Sequence, residues 1–322
     1  MFRTSLILYQ IATHGELLIF HDILRKVKNL VMLSGRSPLV LLPFLLWGTA
    51  MVVMKWLMPQ THPLFVGVIR LLPAGLLVVM AGMLWQRPMP QGWRAWAWIS
   101  LFALVDGTLF QGFLTQGLVR TDAGLGSLLI DSQPLAVAVM AAFLYGERLS
   151  QRGIAGLGLG IVGIGLIGLP ADWQNFQPWH WFTLGEWLML GASLAMAIGT
   201  ILIRPVTTYA DPVMATGWHM ILGSLPLLAL SLWREHPQLN EIGVYGWLGL
   251  AYVAVLGSAI AYGVFFYFAS SGSLTTLSTL TFSTPVFAIL CGRIFLSEKL
   301  TTLQWVGVLL TLISIYLVSR KD

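Results

Sequence analysis

The chain repeats itself. Pro134, Glu147, Leu149 and Gly156 recur without a gap 151 positions on, as Pro285, Glu298, Leu300 and Gly307. An earlier stretch repeats at an offset of 149: Pro63 answers to Pro212, and Arg70 falls opposite His219. Between these landmarks run apolar stretches of the ~20 residues that cross a lipid hydrocarbon layer as a helix. Few folds are open to such a chain. Each copy is expected to form a bundle of spanning helices, with a polar path or site at the seam between the copies.

Composition sets the solvent. Of 322 residues, 57% are hydrophobic and 10% charged, and the mean hydropathy is +0.80. A soluble domain carries about 25% charged residues, so lipid is the expected surroundings. The net charge of +5 raises nucleic acid as a partner. That reading fails, because the cations sit in short connections and form no basic face. The one cysteine, Cys291, excludes an intrachain disulfide and a multi-thiolate metal site. With no CxxC, HExxH or P-loop pattern, neither a metal nor a cofactor is expected.

Ten spans are expected, at 38–57, 63–85, 96–118, 122–145, 153–169, 184–203, 212–233, 243–269, 273–296 and 301–318. The connections are short and carry turn chemistry, as in Thr61-His62-Pro63 and Asp211-Pro212. With the N-terminus inside, twelve of the 18 lysines and arginines fall on the cytoplasmic side and four outside. That bias places both termini in the cytoplasm. Pro134 lies in the fourth span and Pro285 in the ninth, so the repeats insert with opposite orientation. Inverted repeats of this kind are an architecture of carriers that work by alternating access. Residues 1–37 form an extension, either an amphipathic helix on the membrane surface or a stretch upstream of a true start at Met32. The connection 170–183, with Trp173, Trp179 and Trp181, joins the halves along the interface.

Polar residues inside spans are costly and mark candidate sites. Asp106 and Asp131 reach near the midplane from opposite faces, and Arg70 enters span two from the outside. Arg70 is expected to pair with an aspartate or to grip a substrate carboxylate bidentately. The bland alternative is a structural ion pair between helices. A midplane aspartate is also a candidate carrier of a coupling proton, and so is His219 at the Arg70 position of the second half. Gln111 and Gln133 add neutral hydrogen-bonding groups, and Tyr262 is expected to line the second half's side of the cavity. These three also serve as ordinary helix–helix glue. Trp47 lies too deep to be an interfacial anchor and is expected to wall a pocket, with Gly48 admitting a neighbouring backbone. Lys55 is expected to snorkel to water. Pro134 and Pro285 should kink their spans and free carbonyls for a path or gate. The seven glycines of span five, Gly156-xxx-Gly160 among them, favour tight packing, and a homodimer through that span is the one oligomer raised.

Taken in order, these motifs resemble the drug/metabolite transporter superfamily of the EamA type. The matching features are Trp47-Gly48, Arg70, Pro134 with Gly146-Glu147-Arg148-Leu149, the echo Pro285 with Ser297-Glu298-Lys299-Leu300, and the glycine-rich span. The resemblance covers about residues 38–319. It implies an all-α membrane protein of ten transmembrane helices in two inverted five-helix repeats, 38–169 and 184–319. It further implies a bacterial inner-membrane carrier of small metabolites, often an exporter of amino acids or related compounds. Asp106 and Asp131 match no family motif, and Met196-Ala197 stands in the second half where Trp47-Gly48 stands in the first. Two other readings compete. One is a membrane-embedded enzyme acting on lipid-like substrates, for which no DxxD or HxxxH spacing is present. The other is a non-transporting scaffold.

Overall fold

The computed structural model describes residues 38–120, 129–146, 150–168, 184–237, 239, 242–271, 274, 277, 280–284, 286–288, 291 and 302–319. Every regular element among them is helical. Helix α1 (Leu42–Leu57) follows a 3-10 turn at Pro38–Leu41, and α2 is Pro63–Leu84. Helix α3 runs in three continuous pieces, Gly92–Phe102, Ala103–Leu109 and Phe110–Arg120, the middle one π-helical. There follow α4 (Gln133–Tyr145), α5 (Gln151–Gly168), α6 (Leu184–Thr207) and α7 (Pro212–Arg234). Helix α8 repeats the three-piece pattern in Val244–Ala254, the π-helical Val255–Ile260 and Ala261–Ser271. A 3-10 turn at Leu280–Phe282 precedes α9 (Thr302–Ser319).

Six of these helices are long and apolar enough to cross a membrane. The other four expected spans run partly outside the described residues, as do residues 1–37 and the connection 170–183. Large apolar side chains face outward, and Phe143 is 91% exposed. A folded chain tolerates that only where lipid, not water, covers it. The exposed Trp85, Trp93, Trp233 and Tyr245 lie near helix ends, where the interface suits amphipathic rings.

Helix boundaries follow local chemistry. Pro63 and Pro212 open α2 and α7, where a missing N–H costs nothing. Asp211 caps α7, accepting from the backbone N–H groups of Val213 and Met214 at 3.0 and 3.2 Å. Gly146, at φ 63°, ends α4 in a left-handed conformation that glycine adopts without a Cβ clash.

Helices α2 and α7 form the centre and run antiparallel. At one end, Glu235 just past α7 accepts from the Leu64 and Phe65 N–H groups at 2.8 and 3.0 Å, holding the start of α2. At the other, Arg87 beyond α2 lies 3.5 Å from Asp211 at the start of α7. Negative carboxylates thus meet both helix N-termini, where the dipole favours them. The helices cross at glycines: a Cβ built on Gly75 would stand 2.7 Å from the Gly217 carbonyl oxygen. The same device joins α5 to α9, where a Cβ on Gly163 would come within 2.8 Å of the Gly307 carbonyl.

Candidate functional site

Arg70, on α2, is buried at 3% exposure. Its Nε donates to Ser258 Oγ at 3.0 Å, Nη1 to Gln111 Oε1 at 3.2 Å, and Nη2 to the Gly257 carbonyl at 3.4 Å. Nη1 also lies 3.5 Å from Met54 Sδ. The Tyr262 ring lies 5.7 Å from the guanidinium carbon. Among the described residues every one of these acceptors is uncharged. The expected ion pair with Asp106 or Asp131 does not form; the positive charge is solvated by neutral oxygens and an aromatic face. Ser258 and Gly257 belong to the π-helical turn of α8. A π turn widens the helix by one residue and turns groups outward that an α-helix keeps in its ladder.

Arg70 faces a cavity of about 40 Å³. Trp47, Arg70, Asp131, Tyr262, Thr281 and Thr284 are among its lining residues, with apolar side chains from α3 and α6. Both halves of the chain therefore contribute. The indole Nε1 of Trp47 and the Thr284 hydroxyl are buried without hydrogen-bond partners. Trp47 is held edge-on by Tyr262 at 5.2 Å and by Phe44 at 5.8 Å. Gly48 does what its sequence position promises. A Cβ there would lie 2.8 Å from Thr284 O and 2.9 Å from Ala288 N, so the neighbouring backbone comes up against α1.

Beside the cavity lies a second polar pair. Asp106, in the π turn of α3, has Oδ2 3.3 Å from His219 Nε2 on α7, and both side chains are fully buried. The contact lies off the line of a hydrogen bond, and among the described residues none of the four polar atoms has another partner. Phe102 stacks on the imidazole at 4.1 Å, Phe266 meets it edge-on at 5.6 Å, and Tyr262 lies 6.4 Å away. Gly199 on α6 makes room for the carboxylate, since a Cβ there would stand 2.7 Å from Asp106 Cβ. Tyr262 joins the two clusters: its hydroxyl accepts from Gln111 Nε2 at 2.6 Å.

The clusters are related. Arg70 and His219 occupy equivalent positions of the repeat, and Asp106 and Ser258 lie at the same place in the two π turns. Each half's second helix thus reaches across to the other half's π turn, as Arg70–Ser258 on one side and His219–Asp106 on the other. Ser258 and Gly257 escaped the sequence reading. Aligning the third span of each half at the 151-residue offset would have found Tyr262 opposite Gln111 and Gly257 opposite Asp106, with Ser258 one place on.

Other expected site residues lie elsewhere. Gln133 Nε2 donates to Thr200 Oγ1 at 3.1 Å, a link from α4 to α6. Pro134 sits in the first turn of α4, and the break falls at the Asp131–Ser132 turn before it. Helix stands on both sides of that break, which lies one turn before the proline, at 129–130 and from Gln133 onward. Pro285, Glu147 and Glu298 lie outside the described residues. Lys55, half-buried, donates to the Leu118 carbonyl at 3.1 Å. Among the described residues no three His, Cys, Asp or Glu side chains converge as metal ligands would.

Membrane-length helices around buried polar clusters define a multi-pass membrane protein of the transporter class. The chain belongs to the EamA-like transporter family, whose model matches residues 37–169 and again 183–320. It is 54% identical over 300 residues to an uncharacterized transporter of Synechocystis sp., covering 89% of this chain and 91% of the relative. It is 51% identical over 287 residues to a chloroplastic WAT1-related protein of Arabidopsis thaliana, covering 87% and 68%. A "probable amino-acid metabolite efflux pump" of Escherichia coli is 28% identical over 203 residues, covering 61% and 67%. A crystal structure with 16% identity superposes with a TM-score of 0.74, covering 88% of this chain and 96% of that one, and so shares the fold. Family membership makes the chain a membrane transporter and sets the enzyme reading aside.

Proposed function

We propose that the chain is a secondary carrier that exports amino acids or related small metabolites across a bacterial inner membrane by alternating access. Its two inverted five-helix repeats, 38–169 and 184–319, are joined by 170–183, and both termini lie in the cytoplasm. The observation that carries this reading is Arg70: a buried cation whose partners among the described residues are neutral, facing a cavity lined from both halves. Such a guanidinium keeps its charge for an anionic group of the substrate. The antiparallel run of the equivalent helices α2 and α7 supports inverted repeats. The name of the Escherichia coli relative supports the substrate class and the direction.

At roughly 10–15 Å³ per water, 40 Å³ admits about three waters and no amino acid. Entry therefore requires the helices around Trp47 and Tyr262 to separate.

The test is flux in reconstituted vesicles, screened across amino acids and related metabolites, for wild type and Arg70→Met. Arg70→Met leaves the Ser258, Gln111 and Gly257 oxygens without their donor, at about 1–3 kcal/mol for each buried group, so a thermal melt of the variant accompanies the flux. Wild type should transport at least one compound, and Arg70→Met should fold yet lose that flux by tenfold or more. Full flux in a folded Arg70→Met protein would remove Arg70 from the mechanism.

A further inference from the structure

We propose that Asp106 and His219 form a proton-binding site that governs the seam between α3 and α7. The proposal rests on the carrier reading above and deepens it by naming a coupling ligand. Asp106 Oδ2 and His219 Nε2 stand 3.3 Å apart with no exposure. Their four polar atoms find no aligned hydrogen bond. Buried polar atoms are rarely left in that condition, and each instance asks for an explanation. One proton held between Asp106 Oδ2 and His219 Nε2 supplies it for the two facing atoms. It is taken from a hydronium ion, whose O–H bond breaks as one O–H or N–H bond forms on the pair, and the reverse step returns it to water.

The placement gives this proton leverage. The seam has no slack: a Cβ built on Gly107 would come 2.7 Å from Gly223 Cα, and Thr108 donates to the Gly223 carbonyl at 2.8 Å. Asp106 precedes Gly107 on α3, and His219 lies one turn before Gly223 on α7. A charge change within this contact acts at one of the tight crossings between the two halves. Among the described residues, helix α8 faces the pair with Tyr262 and α2 with Arg70, while α6 faces it with Gly199, which carries no ionisable group. Asp131 lines the neighbouring cavity with Arg70. The equivalent seam on the other side, Arg70 with Ser258 and Gly257, holds a permanent cation on neutral acceptors. Proton occupancy therefore acts on one seam and not its twin, which gives an otherwise symmetric rocking motion a direction set by pH.

Hydrogen–deuterium exchange on the whole chain in lipid nanodiscs, corrected for intrinsic rates, tests this between about pH 5 and 8. Peptides covering 103–109 and 219–223 should change protection several-fold with pH, while those covering 67–75 should not. Asp106→Asn and His219→Gln should each remove the pH response. A flat wild-type profile overturns the proposal, and so does an unchanged response in either folded variant. Should one variant fail to fold, the other decides: a pH response in peptides 103–109 and 219–223 that survives in it overturns the proposal. Failure here is distinct from failure of the carrier reading. Vesicle flux with a flat exchange profile removes the proton site alone, and a responsive seam without flux for any compound removes the carrier alone.

Discussion

Gly48→Ala and Gly263→Ala are the same chemical change near the same cavity, and the structure gives them opposite signs. On α1, a Cβ at Gly48 would meet Phe287 Cβ and Thr284 O at 2.8 Å and Ala288 N at 2.9 Å, against ordinary contacts of 3.4–4 Å. Two of those three atoms are backbone, so no rotamer change relieves the overlap. The helix has to move by about half an ångström, and overpacking of this kind costs about 1–3 kcal/mol. At Gly263, beside Tyr262 on α8, a Cβ would meet nothing within 4 Å. There alanine gains its helix preference over glycine, about 0.5–1 kcal/mol. The two variants should differ by about 1.5–4 kcal/mol in reversible unfolding in mixed micelles. Gly48→Ala should also slow vesicle flux, because moving α1 carries Trp47 off Tyr262, whereas Gly263→Ala should not. Equal stabilities for the two would refute the idea that α1 and the 284–288 backbone meet through Gly48.

Three further outcomes are expected. Tyr262→Phe leaves the buried Gln111 amide without its acceptor and should cost about 1–3 kcal/mol. Tyr262→Phe combined with Gln111→Leu should cost less than the sum of the single changes, as a double-mutant cycle would show. Asp211→Ala should destabilise by about 0.5–2 kcal/mol through loss of the α7 cap. Arg87→Ala, which breaks only a 3.5 Å pair with a largely exposed guanidinium, should cost under about 1 kcal/mol, and thermal melts would rank the two. Cysteines placed one at a time at Arg87 and Asp211, with Cys291 replaced by Ser, should react with impermeant reagents from the same side of the membrane. Labelling from opposite sides would overturn the antiparallel α2–α7 pair.

Several helix limits were legible because the chain marks them locally. Pro63, Pro212 and the polar connections fixed α2 and α7 to within a residue of the structure, and α8 was off by little more. Long apolar runs in lipid leave the backbone no alternative to helix, so length and composition suffice there. Arg70, Trp47, Asp131 and Tyr262 were legible as residues whose burial needs a reason, and they line one cavity. The π turns were not legible. They depend on how a helix settles against its neighbours, and the same local sequence can hold an α turn.

The sequence by itself determined the solvent, the family, the doubling and the positions of the costly polar groups, because each follows from composition, spacing or local backbone chemistry. Which group meets which was decided only by the tertiary structure. Arg70 finds Ser258 and Gln111 and not an aspartate, and Asp106 finds His219, because α2 and α7 cross at Gly75 and Gly217 and present each residue to the opposite half's π turn. Contacts between residues more than a hundred positions apart arise from helix crossing and depth, and no local pattern encodes either.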